Sequence, residues 1–119
     1  NFSGKGDADS DPAMDPNYVV ALRKKCLKNG PNNIVEMDPG SFLKFDLHYY
    51  ELVSKRRGLF QSDTALLDDP ETHDYVQSHR NGNSESFFKD FVVSMKKMGR
   101  IGVLTGNSGE IRKVCSRVN

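Results

Sequence analysis

Apolar side chains recur at helical spacing along most of this chain. Tyr18, Val19, Leu22 and Cys26 share one face of residues 17–27, which predicts a helix there. Asp15 can cap its first turn, Pro16 suits the first helical position, and Asn29-Gly30-Pro31 stops it. A second periodic stretch over 45–57 places Phe45, Tyr49, Leu52 and Val53 together, with Gly58 suited to the position just past the helix end. Residues 63–67 predict a short helix. Asp69 and Pro70 open a polar one over 71–79. The widest stripe is Phe87, Phe88, Phe91, Val92, Met95 and Met98, a helix over 84–98 that Gly99 closes. A last short helix is expected over 109–114, after a loop over 102–109.

The joints are irregular. Residues 1–16 are polar and rich in Gly, Asp and Pro, an extended lead-in with turns. Ile34, Val35 and Met37 form a short apolar run that reads as extended, before the turn Asp38-Pro39-Gly40-Ser41. Asn81-Gly82-Asn83 is a break. The expected fold class is all-α, with several short helices and little room for a sheet. Six short helices with stripes this broad imply packing against something further, either more protein or a cofactor.

Composition narrows the partners. The chain has 119 residues, the length of one ordinary domain, with 36% hydrophobic residues and no Trp. Lys+Arg number 17 and Asp+Glu 16, so no sustained basic face exists for nucleic acid. The basic runs Arg23-Lys24-Lys25 and Lys55-Arg56-Arg57 fall near helix C-termini, where the dipole favours cations. No apolar run approaches the ~18–20 residues of a membrane span. The sequence starts at Asn1 without Met or a signal peptide, which reads as a processed, trimmed or partial chain. Asn1-Phe2-Ser3 fits the N-glycosylation acceptor pattern.

Candidate chemistry is sparse, and no metal-ligand pair, phosphate loop or dinucleotide fingerprint is present. Asp38, Ser41 and Asp46 set two carboxylates and a hydroxyl around a tight turn. They are either turn and helix-start residues or oxygen ligands of a hard cation such as Ca²⁺. His48, His73 and His79 read as surface histidines. Met95 and Met98 read as core packing. Cys26 and Cys115 are two free thiols, one internal disulfide, or half-cystines with partners outside this chain. Asp63, in Gly58-Leu-Phe-Gln-Ser-Asp63, borders apolar residues on both sides. It either caps the next helix or orients a buried ligand histidine by accepting its N–H.

Several stretches together resemble the C-terminal part of class III secretory plant peroxidases. They are NFSG at 1–4, LRKKCLKNG at 22–30, EMDPGSFLKFDLHYYELVSKRRGLFQSD at 36–63, FFKDFVVSMKKMGRIGVLTG at 87–106 and GEIRKVCSRVN at 109–119. The resemblance covers essentially the whole chain in order. It implies residues 1–119 as the C-terminal, proximal portion of one haem-peroxidase domain. The implied activity is hydrogen-peroxide-dependent one-electron oxidation of phenolic-type donors, with haem b and calcium as cofactors. Asp63 matches the aspartate that hydrogen-bonds the iron-ligating histidine. An anion there gives the ligand imidazolate character and stabilises high-valent iron. Asp38, Ser41, the Lys44 carbonyl and Asp46 match ligands of the proximal calcium site, with Ser41 where the family usually has Thr. Met37 stands where some members pack Phe under the haem. Cys26 and Cys115 match half-cystines of two different disulfides whose partners lie upstream.

The same resemblance places the iron-ligating histidine and the distal His and Arg upstream of Asn1. It therefore assigns none of His48, His73 or His79 to catalysis, and it implies a chain inactive in isolation, partnered by the upstream half. It also implies secretion, to the cell wall, the extracellular space or the vacuole. The alternative is a free-standing helical binding module, calcium-dependent and without redox chemistry.

Overall fold

The computed structural model describes residues 10–26 and 33–119. The acceptor site at Asn1 and the stop at Asn29-Gly30-Pro31 lie outside them. Five helices form: α1 (Pro16–Lys25), α2 (His48–Ser54), α3 (Gln61–Ala65), α4 (Pro70–His79) and α5 (Ser84–Met98). There is no strand among the described residues, so the all-α expectation holds. The chain divides into two compact units, Asn1–Ser84 and Glu85–Asn119.

In the first unit α2 packs on α4. Val53 and Val76 are its most deeply buried side chains, and Leu52 and Met14 are buried as well. Each such side chain contributes about 1.5–3 kcal/mol when removed from water, so this small core holds two helices and little more. The helix starts follow the sequence. Asp15 Oδ1 accepts the Tyr18 N–H at 2.8 Å, and Pro16 needs no partner at the first helical position. Asp69 Oδ1 accepts the Glu71 and Thr72 N–H groups at 3.0 and 3.2 Å. The lead-in is tied to the end of α2, because the Asp15 N–H donates to the Arg56 carbonyl at 2.9 Å.

Three expectations need correction. The helix predicted over 45–57 is only His48–Ser54. At its start Asp46 Oδ1 takes the His48 N–H at 2.9 Å, which keeps the preceding residues in the turn. At its end the Arg57 N–H donates to Leu52 O and the Arg56 N–H to Val53 O, at 2.9 and 2.8 Å. This is a Schellman closure with Arg56, not Gly58, in the left-handed conformation at φ 57°. Second, the short helix predicted over 63–67 runs over Gln61–Ala65. Third, the helix expected over 109–114 does not form. The Asn119 side chain instead accepts the Lys113 N–H at 3.1 Å and donates to Ile111 O at 3.0 Å. Six residues with β-branched Ile111 and Val114 cannot repay the cost of nucleating a helix once these bonds are available.

The second unit is built on α5. Lys89 and Glu85 pair one turn apart at 2.8 Å, and Phe87 lies 5.7 Å from Phe88 and 5.9 Å from Phe91, ring centre to ring centre. Phe88, Phe91, Met95 and Met98 of the predicted stripe all remain exposed.

Arg56 carries the strain of a left-handed non-glycine residue, about 1–2 kcal/mol. Glycine there relieves it but adds backbone freedom to the unfolded chain. Arg56→Gly is expected to stabilise the protein by about 0.5–1 kcal/mol. Equilibrium urea denaturation checks this, and an unchanged or lowered midpoint contradicts it.

Candidate functional site

The site is assembled around a carboxylate placed by a short helix. Phe60 is extended and cannot cap α3 through its side chain, so the first turn has unmet N–H groups. Asp63, at the third helical position, turns back and accepts the Phe60 N–H through Oδ2 at 2.8 Å. Its Oδ1 accepts the Tyr49 hydroxyl at 2.7 Å, across from α2. The reading of Asp63 as the cap of a helix over 64–67 is therefore corrected: it lies inside the helix, buried at 8% exposure. Gly58 makes room for it. A Cβ at position 58 would lie 2.3 Å from the Asp63 Cβ, so this glycine serves close approach and not helix closure.

The surroundings are polar atoms in an apolar setting. Burial pushes the Tyr49 hydroxyl well above the usual tyrosine range, and its bond to the Asp63 carboxylate adds to the rise. Tyr18 is also raised, first by burial. The Arg57 guanidinium opposes this, while Asp63 and Glu36 reinforce it. The Tyr18 and Thr64 hydroxyls are buried without a hydrogen-bond partner among the described residues. Such groups are costly unless something meets them. An ionised carboxylate has about four acceptor positions, and the two bonds given above leave Asp63 capacity for another donor.

A second cluster lies at the turn before α2. The Ser41 N–H closes on Asp38 O at 3.1 Å around Gly40, at φ 98°. The Ser41 hydroxyl donates to Asp46 Oδ2, and the Lys44 N–H donates to Ser41 O at 2.9 Å. The Ser41 bond and the His48 N–H hold the Asp46 carboxyl below its ordinary range. His48 Nδ1 meets Asp38 Oδ1 at 2.5 Å, so both predicted carboxylates contact one residue. Among the described residues no three His, Cys, Asp or Glu side chains form a ready metal cluster. A cation here would rely on the Ser41 hydroxyl, the Lys44 carbonyl and oxygens from elsewhere as well.

The other predicted positions are dispersed. Met37 is 55% exposed. Cys26 is half-buried and Cys115 exposed, both as free thiols. Cys26 lines a cleft of about 140 Å³ with Met14, Val19, Leu22 and Leu59. His48 is half-buried against Asp38. His79, expected at the surface, is buried: its ring stacks on Tyr75 at 4.0 Å, and its Nδ1 lies 2.9 Å from Tyr75 O. Sequence reasoning missed the Tyr49–Asp63 bond because fourteen residues separate the partners and no local pattern links them. The only available signal was an aromatic with a polar tip on an otherwise apolar helix face.

Known proteins match this chain over its whole length. A family model described as peroxidase matches residues 1–82. Peroxidase 56 of Arabidopsis thaliana is 60% identical over 119 residues, which is 100% of this chain and 36% of the relative. Peroxidase 27 of the same plant is 57% identical over the same shares. Peroxidase 1 of Oryza sativa subsp. japonica is 52% identical over 122 residues, covering 100% of this chain and 37% of its own length. The chain thus spans about a third of the length of the curated relatives it matches.

Two outcomes follow from the packing of Asp63. Gly58→Ala is expected to destabilise the protein by about 1–3 kcal/mol through overpacking, read by urea denaturation, and wild-type stability would contradict the close approach. Tyr49→Phe strips a donor from a buried carboxylate and is expected to cost about 1.5–3 kcal/mol at neutral pH. Tyr49 binds its proton more tightly folded than unfolded. Its contribution is therefore complete below the ordinary tyrosine value of about 10 and is lost as pH rises beyond it. Stability measured between pH 8 and 11.5 should fall less steeply at the alkaline end in Tyr49→Phe than in wild type, and equal slopes would contradict the linkage.

Proposed function

The chain belongs to the peroxidase family, and from that premise we propose that it forms the proximal, C-terminal portion of one haem-peroxidase domain. The whole protein is a secreted plant enzyme that uses hydrogen peroxide to oxidise phenolic-type donors one electron at a time. Asp63 carries the reading. It is a buried carboxylate, held by Tyr49 and the Phe60 N–H, with acceptor capacity left and with the buried Tyr18 and Thr64 hydroxyls lacking a partner among the described residues. That arrangement suits a donor brought in by other polypeptide, here the N–H of the iron-ligating histidine.

Haem b, when bound, supplies the reaction with peroxide. This chain's part is positional. Asp63 fixes the tautomer and orientation of the ligand histidine and raises its basicity. Tyr49 fixes Asp63 in turn. Met37 offers an exposed apolar surface for the proximal side of the haem. Asp38, Ser41, the Lys44 carbonyl and Asp46 are hard oxygen donors gathered at one turn, and that chemistry fits Ca²⁺. Cys26 and Cys115 bond to the upstream half, which supplies the distal His and Arg, so the chain alone has no peroxidase activity. Exposed Leu43, Phe42 and Phe45 support burial against that half. Asn1 is a glycosylation acceptor consistent with secretion.

Asp63→Asn in the complete haem-loaded protein tests the reading. The amide keeps the shape and removes the anion. Turnover with peroxide and a phenolic donor is expected to fall by about 10–100-fold while the haem absorption band is retained. Wild-type turnover would remove Asp63 from the proximal role.

A further inference from the structure

His48 grips both carboxylates of the turn before α2, through two different groups. Its backbone N–H donates to Asp46 Oδ1 at 2.9 Å. Its imidazole Nδ1 meets Asp38 Oδ1 at 2.5 Å. A carboxylate at neutral pH only accepts, so Nδ1 carries the hydrogen and donates, in the neutral ring as in the charged one. The turn itself seats the ring. Gly40 stands at φ 98°, and a Cβ built there would lie 3.6 Å from His48 Cε1, so the imidazole rests against the backbone it ties. Ten residues separate His48 from Asp38, which is why helical spacing alone reads this histidine as a surface residue.

We infer that His48 is a positioning residue for the calcium site proposed at this turn, a role that stands only if that calcium reading does. The imidazole holds Asp38 and the backbone N–H holds Asp46 in the arrangement that receives the ion. Two carboxylates gathered at one turn repel each other, and a donor to each offsets that repulsion before an ion arrives. An Asp38 side chain without this bond would turn freely about its own two rotatable bonds, and the ion would have to order it on binding. The ring does not compete with the cation. It takes one oxygen of Asp38, and each carboxylate keeps acceptor positions beyond the bonds named. Nor is His48 a ligand, since its Nδ1 hydrogen faces a carboxylate and hard cations take oxygen. Hydrogen-bond partners of metal ligands typically change affinity by about 10–100-fold. Position 48 therefore sets how tightly calcium is held without supplying any atom to it.

The test uses the complete haem-loaded protein, freed of calcium with a chelator and titrated with calcium chloride at one fixed pH by isothermal calorimetry. His48→Phe keeps a ring against Gly40 and removes the donor. His48→Asn keeps a donor and removes the ring. His48→Phe is expected to weaken calcium binding at this turn by about 10–100-fold, and His48→Asn to stay near wild type. Equal or tighter binding in His48→Phe overturns the role. So does a loss in His48→Asn as large as in His48→Phe, which would make packing of the ring the cause. Nuclear magnetic resonance of the wild type with isotope-labelled histidine reads the bond directly. The His48 Nδ1 hydrogen should stay bonded in calcium-free and calcium-saturated protein alike, and its release on calcium binding would make His48 a competitor for Asp38 instead. The double variant Asp38→Ala/Asp46→Ala identifies a failure of the site itself. It is expected to bind one calcium ion fewer than wild type, and an unchanged number removes the calcium site from this turn and the role of His48 with it.

Discussion

A carboxylate withdrawn from water must be matched by donors, and the first unit is organised around that requirement at Asp63. One oxygen is met by a backbone N–H that α3 could not otherwise satisfy. The other is met by a hydroxyl from α2. The same pair of bonds finishes a helix start and joins two elements that share no sequence pattern. Leaving either oxygen without its donor would cost about 1–3 kcal/mol, a large share of what the small apolar core contributes.

The apolar side chains describe a different balance. Few are buried, while Ile34, Leu43 and Ile111 stand almost fully exposed. A chain that spent its entire apolar surface on its own core would not look like this. The stripes that make α1 and α5 legible as helices are the faces left exposed or half-exposed. Secondary structure here is specified locally, whereas much of the burial that would stabilise it is proposed to come from polypeptide outside the chain.

Local signals carried most of the fold. Asp15-Pro16 and Asp69-Pro70 each announced a helix start through a side-chain acceptor and a fixed φ, and both caps form. The α5 stripe gave its bounds directly. Legibility failed where a nearby bond outcompeted the helical pattern: Asp46 shortens α2, the Asn119 amide replaces a helix turn, and Arg56 takes the conformation expected of a glycine. At the candidate site the place of Asp63 at the edge of the core was readable from its apolar neighbours. Its bond to Tyr49 and the burial of His79 were not, because the first depends on how α2 meets α3 and the second on how α2 meets α4.

The contact at Gly58 makes substitutions at the two positions unequal. A Cβ added at 58 would lie 2.3 Å from the Asp63 Cβ, 3.0 Å from its Cγ and 3.1 Å from its Oδ2. Every residue but glycine carries that Cβ. Position 63 can therefore exchange its functional group, to an amide or a methyl, without releasing position 58 from glycine. The reverse is not so, since a side chain gained at 58 evicts whatever stands at 63. Mutational drift through this loop runs in one order only: the chemistry can be lost first and the spacer persists as its record.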